Sequence, residues 1–177
     1  MRKLHYKINF LLLALVVAAS ACKSQSQNKY PNTKQGVAQM AKALGKAPMS
    51  DIKKLAPTME DCKAIMKNEE DAQKLYEYSE KGYKELDKMS ESPIRGKEGQ
   101  IEVLVDQLTV GGKNVSEESQ EFPGGYTKAI DKMNKGIVMY QFSFVEPGET
   151  RGRRFDGLVY VNNKWVLVPK FWRAFRN

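Results

Sequence analysis

The chain reads as an α+β protein, with helices first and an antiparallel sheet after them. Three observations predict this. Apolar residues recur at helical spacing through the first half and at alternate positions from about residue 101 onward. Branched and aromatic residues gather in the second half, where strands are expected. The turn signals Gly111-Gly112, Pro147-Gly148 and Asn162-Asn163 then cut that half into hairpin-sized pieces. Helices followed by a run of strands is the α+β pattern.

Each element follows from local chemistry. Val37, Met40, Ala41 and Leu44 keep i, i+3, i+4, i+7 spacing, and Gly45 supplies a stop. Ser50 or Asp51 caps a short turn through Ile52 and Leu55. Thr58 opens the next segment, with Asp61 three residues later as in a capping box; Met59, Cys62, Ile65 and Met66 share one face. The longest helix is predicted over 69–89, with a stripe of Ala72, Leu75, Tyr76, Ser79, Tyr83 and Leu86. Acids fill its first turn, where the helix dipole favours them, and Ser92-Pro93 ends it. Residues 101–110 read as a strand, 115–125 as an acidic loop, and Tyr126 to Met133 as one or two helical turns. The strongest strand signal is 137–145, with Val138, Tyr140, Phe142 and Phe144 on one face. Pro147-Gly148 returns the chain as 153–161, and Asn162-Asn163 turns it again into 165–168, a three-strand meander.

The N-terminus carries a different kind of signal. Arg2, Lys3 and Lys7 precede an apolar run over 10–19, the length of a signal-peptide core and too short to span a bilayer. Ala19-Ser20-Ala21 then leads into Cys22. This resembles the lipobox of bacterial lipoproteins, with Ala19 where such motifs more often have Leu. The resemblance implies cleavage before Cys22, a diacylglyceryl group on its sulfur and acylation of the new N-terminus. A lone transmembrane helix over 8–21 is the alternative, and Asn9, the short run and the terminal cysteine oppose it. Lys23, where Asp would signal inner-membrane retention, implies an outer-membrane anchor facing the periplasm. The expected division is a signal peptide over 1–21, the lipidated cysteine and a flexible tether over 22–33, and one domain over 34–177. Extended, the tether reaches about 35 Å.

Cleavage would change the chemical inventory. The only histidine, His5, leaves with the leader, which excludes Ser-His-Asp and Cys-His nucleophile systems and imidazole metal sites from the mature chain. Lipid consumes Cys22, so Cys62 is the sole thiol and no intrachain disulfide forms. No cofactor or metal is expected. Loss of Arg2, Lys3 and Lys7 from 29 bases leaves 26 against 21 acids, a net charge of +5 rather than +8. That balance suits ordinary solubility, or anionic partners such as phospholipid or lipopolysaccharide head groups. Nucleic acid is not an expected partner for an exported protein.

Helices followed by a curved antiparallel sheet is also the order of the nuclear-transport-factor-2-like, or cystatin-like, cone folds. The stretch from Phe155-Asp156-Gly157 through Asn162-Asn163-Lys164-Trp165 to Pro169-Lys170 resembles their terminal hairpin, a short polar turn before an aromatic-led last strand. The likeness covers 34–177 in architecture and 136–172 in local pattern. It implies N-terminal helices packed on a curved, cone-like sheet, with a concave face able to hold a pocket. Such folds host enzymes, carriers and assembly modules alike, so function is not implied.

Nine of the fifteen aromatics of the mature chain lie between Tyr140 and Phe175. Tyr140 and Tyr160 are therefore candidate polar handles inside an apolar cavity, against the plainer expectation that these rings fill the core. Arg151, Arg153 and Arg154, with Lys170 and Arg173 beyond, form a candidate anion-binding rim; alternation puts Arg153 and Arg154 on opposite faces. The plainer expectation is a charge-protected edge strand. Asp156 is a candidate ligand-binding or general-base residue, with a salt link to Arg153 or Arg154 as the plainer outcome. Cys62, on an apolar helical face, is expected to be a buried, inert thiol. Together these predict a non-enzymatic, membrane-anchored envelope protein that binds a small ligand, anionic or apolar, or a partner protein. The rivals are an enzyme using Asp156 with Tyr140 or Tyr160, and a structural envelope-assembly factor.

Overall fold

The computed structural model describes residues 29–176; the leader and Cys22 lie outside the described residues. The fold is α+β, with helices N-terminal to a four-stranded antiparallel sheet. Four helices come first: α1 (Lys34–Leu44), α2 (Met49–Lys53), α3 (Met59–Ile65) and α4 (Glu69–Leu86). Side-chain caps start α1, α3 and α4; α2 begins after Pro48 without one, and Ser50 and Asp51, expected as its cap, lie inside the helix. Thr33 Oγ1 accepts the Gly36 amide at 3.1 Å, and Asn68 Oδ1 accepts the Asp71 amide at 2.8 Å. The capping box of α3 is complete: Asp61 N–H donates to Thr58 Oγ1 at 3.3 Å, and Thr58 N–H donates to Asp61 Oδ2 at 2.7 Å. Helix α4 stops three residues short of the expected end, just past its last apolar stripe residue, Leu86.

The domain begins earlier than residue 34. Trp165 Nε1 donates to the Tyr30 carbonyl at 3.0 Å, and a Cβ on Gly36 would lie 2.0 Å from Pro31 O. Residues 30–33 are thus folded back onto α1 and the sheet, not part of a free tether. Only seven residues separate Cys22 from Tyr30, a reach of about 23 Å when extended.

Strand β1 (Glu102–Thr109) leads into a connection holding α5 (Val115–Glu118), a 3-10 turn (Ser119–Glu121) and α6 (Tyr126–Ile130). The stretch expected as an acidic loop is therefore partly helical. The meander β2 (Val138–Val145), β3 (Gly152–Val161) and β4 (Lys164–Leu167) follows, and the strand order is β1-β2-β3-β4, antiparallel throughout. Asn162 and Asn163 have φ of 50° and 59°, the two positive angles of a type I′ hairpin turn. One β-bulge interrupts the sheet: Tyr140 pairs with Leu158 and Phe142 with Phe155, so Asp156 and Gly157 together oppose Gln141. Gly157 has φ +83°, and a Cβ there would meet Val168 O at 2.0 Å, so glycine is required twice over.

Both faces of the sheet are covered. Helices α1 and α2 pack with Tyr140, Phe142, Phe144, Leu158, Trp165 and Leu167 on one face. Helices α3, α4 and α6, with the final 3-10 helix (Phe171–Phe175), pack with Leu108, Met139, Val159 and Val166 on the other. Seven of the eight β2 residues are buried, so β2 behaves as a central strand despite its alternating pattern. The expected open concave face is filled by rings. The period-two reading identified one inward face of β2, while Met139 and Val145, both 0% exposed, form a second.

Candidate functional site

The residues predicted as a site are dispersed by the fold. Tyr140 is 2% exposed and lies edge-on to Trp165, ring centroids 5.6 Å apart; Tyr160 meets the same indole at 5.1 Å. Tyr140 is core against α1, and the half-buried Tyr160 packs onto the same cluster. Burial pushes the Tyr140 phenol up from its ordinary value. Arg153 and Arg154 diverge, as alternation requires. Arg153 stacks over Phe155 at 5.4 Å, and Arg154 Nη1 donates to the Glu121 carbonyl at 3.0 Å. Arg173 and Arg176 stack instead on Trp172, at 5.4 and 4.2 Å. The arginines thus occupy separate positions and form no single rim.

Asp156 takes a different partner from the one expected. It is buried in the bulge and accepts the Lys170 amide at 2.5 Å; among the described residues it has no ion pair with Arg153 or Arg154. The extra bulge residue turns it toward the α6 face, opposite Tyr140 and Tyr160. The sheet therefore separates Asp156 from both tyrosines. Its neighbour is Tyr126, 0% exposed, between Phe122 and Phe171. Burial first, then the Asp156 charge, holds the Tyr126 phenol well above its ordinary value, although no partner meets hydrogen-bond geometry at its hydroxyl. The Tyr126 phenol thus stays protonated beside the Asp156 carboxylate. Cys62 is fully buried, and burial with the Asp61 charge pushes its thiol up to about 12, the inert state expected.

A cleft that the sequence did not single out lies along α4. It has a volume of about 300 Å³, at the small end for ligand sites. Ala56 and Pro57, from the link between α2 and α3, face Tyr76, Ser79 and Tyr83 of α4, while Lys53, Glu80, Lys84 and Asp87 form the rim. The rim charges are matched: Lys53 bonds Asp87, and Lys84 lies 3.9 Å from Glu80. Tyr76 donates to Glu80 at 3.0 Å and Tyr83 donates to the Leu167 carbonyl at 2.9 Å, which fixes both rings. The Glu80 bond raises the Tyr76 phenol, and burial raises that of Tyr83, so both remain protonated at neutral pH. Ser79 is 4% exposed, and its buried hydroxyl has no hydrogen-bond partner. A buried polar group left unsatisfied costs about 1–3 kcal/mol, which a ligand acceptor or donor would offset. The cleft therefore has two aromatic walls, with the unpartnered Ser79 hydroxyl buried behind its lining. Its signal in the sequence was a serine interrupting an otherwise apolar stripe.

No protein-family profile, curated protein or solved structure matches the chain.

Proposed function

We propose that this chain is a lipid-anchored envelope protein whose domain acts by binding, with the α4 cleft receiving a small, mainly apolar molecule that carries a hydrogen-bonding group. The unpartnered Ser79 hydroxyl behind the cleft lining carries the binding half of this reading. The leader and Ala19-Ser20-Ala21-Cys22 support the anchored half, with Lys23 favouring the outer membrane and a periplasm-facing domain. The clamp of Tyr30 by Trp165 is consistent with it, because it would hold the domain within about 23 Å of an acylated Cys22. The matched rim and the dispersed arginines favour a neutral ligand over an anionic one.

Two measurements test the two halves separately. Mass spectrometry of the N-terminal peptide from membrane-extracted protein is expected to begin at Cys22 and carry acyl mass. A peptide beginning at Met1 with an unmodified Cys22 overturns the anchor. Native mass spectrometry of the same preparation is expected to retain a small-molecule adduct that is lost in Ser79→Phe, which fills the cleft. An adduct of equal occupancy in that variant overturns the cleft as its site.

A further inference from the structure

The β4 edge of the sheet is covered: Leu167 N–H donates to the Leu55 carbonyl at 2.8 Å, and Tyr83 caps the Leu167 carbonyl. The β1 edge is different. Val110 exchanges bonds with the β2 side, donating to Ile137 O at 2.9 Å and accepting from Gly136 N at 2.9 Å. Alternation in an antiparallel ladder then turns the backbone of Leu108, Asp106 and Leu104 toward β2, and that of Val103, Val105, Gln107 and Thr109 outward. The Thr109 amide is taken by Glu118 Oε2 at 2.8 Å. Among the described residues the outward amides and carbonyls of Val103, Val105 and Gln107 have no partner. The strand carries no lysine, proline or bulge to blunt this edge, and its two charges, Glu102 and Asp106, are both acidic.

Two further observations meet at this edge. Ile101 is 69% exposed and Leu104 39%; with Met89 they are the large apolar side chains that face solvent among the described residues. Residues 98–118 also reverse the charge of the chain, with Glu98, Glu102, Asp106, Glu117 and Glu118 against Lys113 alone, in a protein of net charge +8. None of these five acids is in an ion pair among the described residues. Elsewhere the acids of this basic protein are largely paired.

From these we infer that the β1 edge is a docking surface for an extended, basic polypeptide segment of a partner, which adds a fifth antiparallel or parallel strand beside Val103–Gln107. The main-chain groups supply the ladder, Leu104 and Ile101 just before the strand supply apolar contact, and the acids select lysine and arginine. A second copy of this chain is a poorer occupant, because pairing β1 with itself would bring Glu102 and Asp106 of both copies together.

The test uses the full chain, isotope-labelled, with a capped seven-residue peptide alternating lysine and valine as probe and its glutamate–valine counterpart as control. The basic peptide is expected to shift the resonances of 101–107 and slow amide exchange at Val103, Val105 and Gln107. Binding is expected to weaken with salt and to fall at least about fivefold in Glu98→Lys/Glu102→Lys, a double reversal of exposed charges. Val105→Pro removes an outward N–H without breaking the β2 ladder and is expected to abolish binding with the circular dichroism unchanged. If that variant fails to fold, Ile101→Lys/Leu104→Lys serves in its place. Equal binding of the acidic peptide, or protection elsewhere than β1, overturns the proposal. So does concentration-dependent dimerisation of the chain alone that is lost in the β1 variants, which would assign the edge to a second copy.

Discussion

Asp61 shows how one side chain can serve two scales. It completes the capping box of α3 and, through Asn162 at 2.9 Å and Lys164 at 2.6 Å, ties that helix to the β3–β4 hairpin a hundred residues away. Burial alone would raise its carboxyl, yet Lys164, Thr58 and Asn162 together hold it below the ordinary value of 3.8. Asp71 repeats the arrangement: burial raises it, and Lys132 with Asn68 outweighs that and holds it below the ordinary value. Because both native pKa values lie below the unfolded ones, their stabilisation is complete above the unfolded carboxylate range. It is lost as the pH falls through the lower native values. Asp61→Asn is expected to cost about 3 kcal/mol in urea unfolding at neutral pH, since it leaves Lys164 partly buried and unpaired. The same variant should flatten the acid limb of stability against pH; an unchanged limb would show that Asp61 does not govern it. The capping role was legible in the Thr58–Asp61 spacing. The link to Lys164 was not, because it spans residues that only the fold brings together.

At the scale of elements, the strands fall within a residue or two of where periodicity places them, and α4 ends three residues early. The exceptions are short: α5, the 3-10 turn after it and the closing 3-10 helix at Phe171–Phe175. The last starts from Lys170 in the left-handed region, φ 54°, a conformation that its residue type does not signal. The N-terminal strap is the other departure. A polar segment with no apolar period reads as tether, but one indole N–H holds Tyr30 to the sheet. Trp165→Phe keeps most of the packing and removes that bond. It is expected to cost about 1 kcal/mol and to speed amide exchange at Thr33, Gly36 and Val37, measured by NMR. Unchanged exchange there would show that the strap is held by packing alone.

For the whole molecule, the sheet is a shared wall between two apolar layers, and Cys62 sits at 0% exposure in one of them. Its thiol is both covered and held protonated, so access requires opening of the α3–α4 layer. Labelling by an aromatic disulfide reagent is expected to be slower than that of a free thiol by orders of magnitude. Its rate should rise with urea in parallel with global unfolding. Rapid labelling in native buffer would mean that this layer opens independently. The same two-sided burial covers the face expected to be concave and open. Once α1 covers the Tyr140 face, the aromatic-rich hairpin has become core, and the open cleft moves out to α4.

What the sequence determined by itself was local: the α+β class, the Thr58–Asp61 capping box, the Asn162-Asn163 turn, the meander and an inert Cys62. These depend on contacts a few residues apart or on a simple period, and both are written in the order of residues. Tertiary structure alone decided which face each candidate joins. A single extra residue at Asp156–Gly157 turns that carboxylate away from Tyr140, and a helix from the far N-terminus closes over the rings. Both effects arise from pairing and layer packing between distant segments, so a candidate site read from neighbouring positions was divided between the two faces of one sheet.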